Sequence, residues 1–382
     1  EKTNRTNEIL LITRDLFGKV FEKESDFLFY EALALFRNEN YVTLGKLINK
    51  INLNKLEKQR KPGFLKLKAD YHHYKRDYNA AFKTFKVMNA HVKDSHEFKK
   101  QESETYFNKQ REKISQIEQL QAETPYRTAI KSSWYQPTFL IGFPRSGTTL
   151  LDTILRTHSK IDVAEELPML QKMDESLGHL SNISLIEEID YAGAKIASDV
   201  YFKELKKYVD FGENPILIDK LPLNILQLPL INQIFPKAQF ILALRHPLDC
   251  VLSCWMQNFK LNPAMANMIE LDRIADFYCT TMEILKLSQE RYSLNIHRIR
   301  YEDLVIDLKR KVSSLLTFLQ LEWEEDLINY QKTAFARHRI NTPSYSQVIK
   351  PIYKTATYRW KKYEKYLNPV KRRIEPWLRA YD

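Results

Sequence analysis

Gly142-Phe-Pro-Arg-Ser-Gly-Thr-Thr149 places two of the chain's 8 glycines in one short turn. The spacing, Gly-x4-Gly-x-Thr, is the outline of a nucleotide phosphate loop. In such a turn the amides of the loop and of the next helix's first turn point into one concavity and hold an anion. Ser146, Gly147, Thr148 and Thr149 would line that concavity, the hydroxyls adding donors. The lysine of the triphosphate-binding version is missing. Thr148 stands in its place, and Arg145 is the loop's cation. Without that lysine, and without a clear acidic magnesium ligand after the next strand, γ-phosphoryl transfer is disfavoured. Side chains and amides supply the positive charge, so no metal is expected.

A loop of this kind needs a strand before it and a helix after it. Thr138-Phe-Leu-Ile141, bounded by Pro137 and Gly142, reads as a buried strand, with a helix from Thr148 to about Thr157. Ile216–Ile218 is a second buried run, followed by a helix ending near Phe235. Gln239–Leu244 is a third, followed by a helix from about Leu248. Asn295–Arg300 is a fourth, followed by a helix around Leu304 to Leu319. Short apolar strands alternating with helices predict an α/β fold, a parallel sheet flanked by helices, with ligands at the strands' carboxyl ends. Lys220 follows the second run, which puts an ammonium at that edge.

Residues 1–120 read as helix throughout, with no proline before Pro62. The stretch from Phe27 through Ala34 to Asn40-Tyr41 resembles that from Phe64 through Tyr71 to Asp77-Tyr78. Their offset of 37 residues is near the ~34 of a tetratricopeptide helix pair; a plain bundle of helical hairpins is the alternative. Residues 100–125 read as a polar linking helix. The expected division is an all-α, tetratricopeptide-like domain and linker over 1–125, then an α/β domain over 126–382 with a carboxyl-terminal lid segment.

Pro144-Arg-Ser-Gly-Thr-Thr-Leu150 resembles the 5′-phosphosulfate loop of sulfotransferases that use 3′-phosphoadenosine 5′-phosphosulfate. A second block agrees: Phe235-Pro236, the strand Phe240–Leu244, Arg245-His-Pro247, and Ser253 eight residues on resemble their 3′-phosphate site. The resemblance spans about residues 137–363. Within the family it looks nearest to the tyrosylprotein sulfotransferases and the bacterial members with tetratricopeptide repeats. Ala164-Glu-Glu166, Tyr301-Glu-Asp-Leu-Val305 and Ser346-Gln-Val-Ile-Lys-Pro351 point there.

The resemblance implies a role for each matched residue. Arg145 and the loop amides face the leaving 5′-phosphate. Lys220 matches the lysine that stabilises the bridging oxygen. Glu166 matches the catalytic base, with its neighbour Glu165 as the alternative. Arg245 and Ser253 take the 3′-phosphate, Tyr301 contacts the nucleotide, and Ser344, Gln347, Lys350 and Arg359 lie near it. One position departs: the tyrosylprotein branch has an arginine four residues past the serine, where this chain has Gln257. His158 reads as a helix-end residue, His246 as structural or an outer phosphate contact, and Met265 and Met268 as core.

Lysine and arginine (59) exceed aspartate and glutamate (48), giving +11. This fits an anionic partner or a solvated lysine-rich surface. The scarcity of glycine excludes collagen-like and glycine-linker architectures. No apolar run reaches a membrane-span length of ~18 residues. Cys250, Cys254 and Cys279 lack a CxxC pair, so they read as buried thiols of a reducing compartment. The expected protein is therefore a cytoplasmic sulfotransferase acting on a hydroxyl acceptor (peptide tyrosine, acidic peptide, glycan or small molecule). A trimmed start leaves targeting open, no nucleic-acid partner is expected, and an oligomer is possible. The competing readings are a phosphate-loop kinase and a peptide-binding repeat protein with a nucleotide-binding domain.

Overall fold

Phe139, Leu140 and Ile141 are apolar in unbroken succession, so their strand must be covered on both faces. The computed structural model, which describes residues 24–120, 135–209, 216–336 and 356–381, puts them at the centre of a sheet. The five strands are β1 (Thr138–Gly142), β2 (Ile161–Glu165), β3 (Ile216–Lys220), β4 (Gln239–Leu244) and β5 (Asn295–Arg300). Their order is β2-β3-β1-β4-β5, and every pairing is parallel. All five carboxyl ends therefore lie along one edge.

The helical region comes first: α1 (Glu24–Arg37), α2 (Tyr41–Ile48), α3 (Lys61–Tyr74), α4 (Tyr78–Lys93) and α5 (Lys100–Gln119). Its two hairpins repeat in register. Asn40 caps α2 and Asp77 caps α4, each side chain accepting an amide three residues on. Glu39 and Arg76 both take left-handed backbone in the turns before those caps. A separate small core under α1–α3 contains Leu28, Phe29, Leu44 and Phe64.

The helices that follow interleave with the strands: α6 (Thr148–Leu155), α7 (Met169–Leu177), α8 (Tyr191–Leu205), α9 (Leu228–Ile234), α10 (Pro247–Trp255), α11 (Leu271–Arg291), α12 (Tyr301–Ile306), α13 (Leu308–Phe318), α14 (Tyr330–Ala336), α15 (Glu364–Arg373) and α16 (Glu375–Tyr381). Phe139, Ile141, Phe240 and Leu242 face one core, which runs on into Ala81, Phe85, Met88 and Phe107 of the helical region. Leu140, Ile218, Ile241 and Ile299 face the other, against α6 and α13. Met268 lies in the first core and Met265 packs against it, as their apolar setting implied. The buried ammonium of Lys113 on α5 donates to the Leu226 carbonyl (2.9 Å) and Gln227 Oε1 (3.1 Å). It thereby moors the helical region to the segment after β3.

Four strands stand where the apolar runs place them, and the fifth corrects the sequence reading. β2 carries Asp162 and ends in Glu165, so it lacks the continuous apolar signal; it pairs only with β3 at the sheet's margin. β3 also runs two residues further than expected, so Lys220 is its last residue rather than one beyond it. The helix expected around Leu304–Leu319 is two helices. Asp307 interrupts it with non-helical backbone (φ −141°, ψ 77°) and caps α13 by accepting the Arg310 amide.

Alternation along β3 sends Lys220 to one face and Asp219 to the other. Asp219 is buried among neutral partners. Tyr201 donates its hydroxyl at 2.9 Å and Asn224 its amide at 3.3 Å. Burial outweighs these bonds and pushes the carboxyl up from 3.8 to about 7. The folded state then keeps a proton that the unfolded chain releases near pH 4, so stability falls as pH rises between about 4 and 7. Asp219→Asn is expected to reduce that loss, by an amount on the order of 3 kcal/mol at most. Urea unfolding at pH 5 and pH 8 checks it; an unchanged pH dependence would contradict the assignment.

Candidate active site

Each strand delivers a polar or charged group to the common edge. β1 ends in the 143–147 loop, β2 in Glu165-Glu166, β3 in Lys220, β4 in Arg245 and β5 in Tyr301. Because the order is β2-β3-β1-β4-β5, the carboxylates and the lysine lie on one side of the loop. The arginine of β4 and the tyrosine of β5 lie on the other.

The loop's shape is set by close approach. A Cβ on Gly142 would stand 2.6 Å from the Ala243 carbonyl oxygen, so the loop begins in contact with β4. Gly147 has φ 104° and takes the cap position of α6 without a side-chain bond. A Cβ there would stand 2.8 Å from the Tyr301 ring. All eight residues of α6 are buried, so its amino terminus points from a fixed helix. Thr148 and Thr149 are buried in its first turn.

Arg145 and Ser253, 108 residues apart, meet directly: Arg145 Nε donates to Ser253 Oγ at 3.0 Å. Arg245 donates to the Arg145 carbonyl (3.1 Å) and the Ala356 carbonyl (2.7 Å). Its guanidinium lies 5.0 Å from the Tyr301 ring centroid. Loop, arginine, serine and tyrosine thus form one cluster. Ser146 Oγ and Arg245 Nε are buried with no hydrogen-bond partner among the described residues. Buried donors left without partners are costly, and these two fit an anion with oxygens on both sides of the loop. Two thiols brace the same walls. Cys254 donates to the Pro144 carbonyl at 3.3 Å, and Cys250 lies 3.8 Å from the Arg245 carbonyl. Burial raises both thiols, so they stay protonated donors.

On the other side, Lys220 is fully buried. Its Nζ donates to Glu165 Oε1 at 3.1 Å and Glu166 Oε1 at 3.0 Å. Burial works against the ammonium, but the carboxylates of Glu166, Glu165 and Asp152 more than offset it, so its proton affinity rises. It stays charged at any working pH. The two glutamates differ in access: the Glu165 side chain is 7% exposed and that of Glu166 31%. Glu166 has φ 52° while its amide still donates to the Lys220 carbonyl at 2.8 Å. Left-handed backbone at Glu39, Arg76 and Gln320 follows helix ends, its ordinary place. At Arg145 (φ 72°) and Glu166 it has no such origin, and strain of this kind gathers at working sites.

The remaining predicted residues are placed differently. Ser344, Gln347 and Lys350 lie outside the described residues. Arg359 lies beside Tyr363, at the seam with the helical hairpins, where its charge favours the ionised hydroxyl and burial opposes it more strongly. There Tyr363 bonds His73 Nδ1 at 2.7 Å. Burial, then the charges of Arg359, Lys362 and Lys66, push His73 down to about 3. His246 is buried and stacked on Trp360, a structural setting. His158 follows α6 and bonds the Glu322 carbonyl and the Lys160 amide. Gln257 follows α10, where its amide donates to the Cys254 carbonyl. The sequence reading missed the lysine's pairing with both glutamates, the Arg145–Ser253 bond and Glu302. Only the Glu-Glu and Tyr-Glu-Asp clusters hinted at them. Among the described residues, no group of three or more His, Cys, Asp or Glu is arranged to hold a metal ion. No described helix is long and apolar enough to cross a membrane.

Residues 137–325 match a family model described as the sulfotransferase family. An uncharacterized protein of Aquifex aeolicus is 32% identical over 245 residues, covering 62% of this chain and 32% of its own length. Protein-tyrosine sulfotransferase 1 of Homo sapiens is 27% identical over 237 residues, covering 58% of this chain and 62% of that protein. The chain therefore spans about a third of the first relative and under two thirds of the second. Among solved structures, a sulfotransferase domain from the curacin biosynthetic pathway aligns with a TM-score of 0.42 and 20% identity, over 63% of this chain and 99% of that one.

Gly147 and Gly178 give a controlled comparison. Gly178 has φ 58° but nothing within 4 Å of an added Cβ, whereas Gly147 adds the clash with Tyr301. Gly178→Ala should cost about 1 kcal/mol and Gly147→Ala about 2–4 kcal/mol, from backbone strain plus overpacking. Thermal unfolding of the two variants checks this; equal losses would contradict the loop geometry.

Proposed function

The chain belongs to the sulfotransferase family, and from that premise we propose that it moves a sulfuryl group from 3′-phosphoadenosine 5′-phosphosulfate to a hydroxyl acceptor. The observation that carries this reading is the meeting of Arg145, Ser253 and Arg245 beside the Ser146 hydroxyl and the Arg245 Nε, both buried without a partner among the described residues, next to a buried lysine between two glutamates. The donor would supply an electrophilic sulfuryl group on a phosphate leaving group. Residues 144–149 and Arg145 would hold the 5′-phosphate, with Arg245, Ser253 and Tyr301 on the 3′-phosphate side. Ser344, Gln347, Lys350 and Arg359 remain expected nucleotide contacts by family resemblance.

Lys220 would stabilise the charge that builds on the bridging oxygen; its carboxylate partners keep it charged and fixed in place. Glu166 would take the acceptor's proton, since it is the more exposed of the pair and its left-handed backbone turns it back toward Lys220. Glu165, nearly buried, would hold the lysine. The relatives named as protein-tyrosine sulfotransferases favour a phenolic hydroxyl as the first acceptor to test. We read the two amino-terminal hairpins as tetratricopeptide-like and keep the division at 1–125 and 126–382.

Glu166→Gln is expected to keep donor affinity and fold while lowering kcat by about 10²–10⁴. It should also abolish the acidic limb of the pH–rate profile. Lys220→Ala should lower kcat yet leave that limb. It should also cost about 3–5 kcal/mol of stability, because two carboxylates lose their counter-charge. Steady-state kinetics across pH, with thermal unfolding of each variant, tests this. A Glu166→Gln enzyme near wild type, beside an inactive histidine variant, would overturn the assignment of the base.

A further inference from the structure

The turn that carries Arg245 is held from behind by residues far along the chain. Glu302, buried in the first turn of α12, accepts the backbone N–H of His246 through Oε1 at 3.1 Å. Its Oε2 accepts the hydroxyl of Tyr381, the last residue of α16. The Tyr381 ring lies under the Arg300 guanidinium, 3.9 Å from its centroid, and edge-on to the His246 ring at 5.7 Å. Helix α16 is thus fastened to the junction of β4 and α10.

A carboxylate with one oxygen on an amide and the other on a hydroxyl has its orientation fixed by two charge-assisted bonds. Losing the Tyr381 bond lets Glu302 turn, and the His246 amide then loses its acceptor. Arg245 is the adjacent residue, so drift of that amide moves the guanidinium. Its Nε is buried and unpartnered among the described residues, whereas its other nitrogens already bond carbonyls. The free donor is the one that such drift would misalign.

We propose that Glu302 and Tyr381 are positioning residues that set Arg245 for a 3′-phosphate, so that α16 tunes how strongly the site prefers a nucleotide carrying that group. The inference rests on the reading of Arg245 given above. Both residues act through the turn behind Arg245, so the effect belongs to discrimination rather than to the chemical step.

The test is calorimetry on the full chain with two probes, adenosine 3′,5′-bisphosphate and adenosine 5′-monophosphate. The wild type is expected to favour the bisphosphate strongly. Tyr381→Phe and Glu302→Ala should reduce that preference about 10- to 100-fold, the scale of a displaced positioning group, with 5′-monophosphate affinity unchanged. Glu302→Gln keeps an oxygen for the His246 amide and should restore most of the preference. Thermal unfolding identifies any variant that fails to fold, and Tyr381→Phe, a loss of one hydroxyl, carries the test alone if Glu302→Ala does. Retained preference in folded variants, or equal weakening of both probes, overturns the clamp while the reading of Arg245 stands. A wild type that binds the two probes equally overturns that reading and the clamp with it.

Discussion

A buried ammonium between two carboxylates is the constraint from which the rest of the site follows. Lys220 is 0% exposed, and removing one partner of a buried pair costs about 3–5 kcal/mol. β2 must therefore pair with β3 in the register that sets Glu165 opposite Lys220. The chain must then turn left-handed at Glu166 so that a second carboxylate reaches the same nitrogen. This accounts for a marginal strand that carries charge where a core strand would carry leucine or valine. It also leaves one carboxylate sealed and the other partly open, a division of labour that two equivalent glutamates would not provide.

The opposite side of the loop obeys a different rule. There Arg245 has the Asp249 carboxylate at 3.9 Å, a looser pairing than that of Lys220. Arg145 and Arg245 bond instead to a hydroxyl and to carbonyls. Such partners orient a guanidinium without neutralising it. The sheet order keeps the two regimes apart, with β1 and its loop between them. One side holds an ammonium between two carboxylates, and the other holds guanidiniums bonded to carbonyls and a hydroxyl.

Much of this was legible in the sequence where signals are local. Phe139–Ile141, Phe240–Leu244 and their flanking turns mark strands because a core strand must be apolar in succession. Gly142 and Gly147 mark the loop because a Cβ at either would strike a neighbour. β2 was not legible, since Asp162 and Glu165 break its pattern and only pairing with β3 reveals it. Nor were the contacts that join distant segments: Arg145 with Ser253 across 108 residues, Lys220 with Glu166 across 54, and Tyr381 with Glu302 across 79. Those depend on topology, which residue types alone do not encode. The repeat in the helical region was visible because both hairpins use the same cap-and-turn chemistry, at Asn40 and at Asp77.

The helical region is more than an appendage to this site. Its second hairpin and α5 share a core with the sheet, and Lys113 holds the segment that leaves β3 just after Lys220. The most direct measurement of the central claim is a single-turnover assay with sulfur-labelled 3′-phosphoadenosine 5′-phosphosulfate, a panel of hydroxyl acceptors and chelator present. The account predicts label on an acceptor hydroxyl, with one adenosine 3′,5′-bisphosphate released per label transferred. Magnesium-dependent transfer of phosphate from ATP to the same acceptors, with no movement of sulfur label, would contradict it.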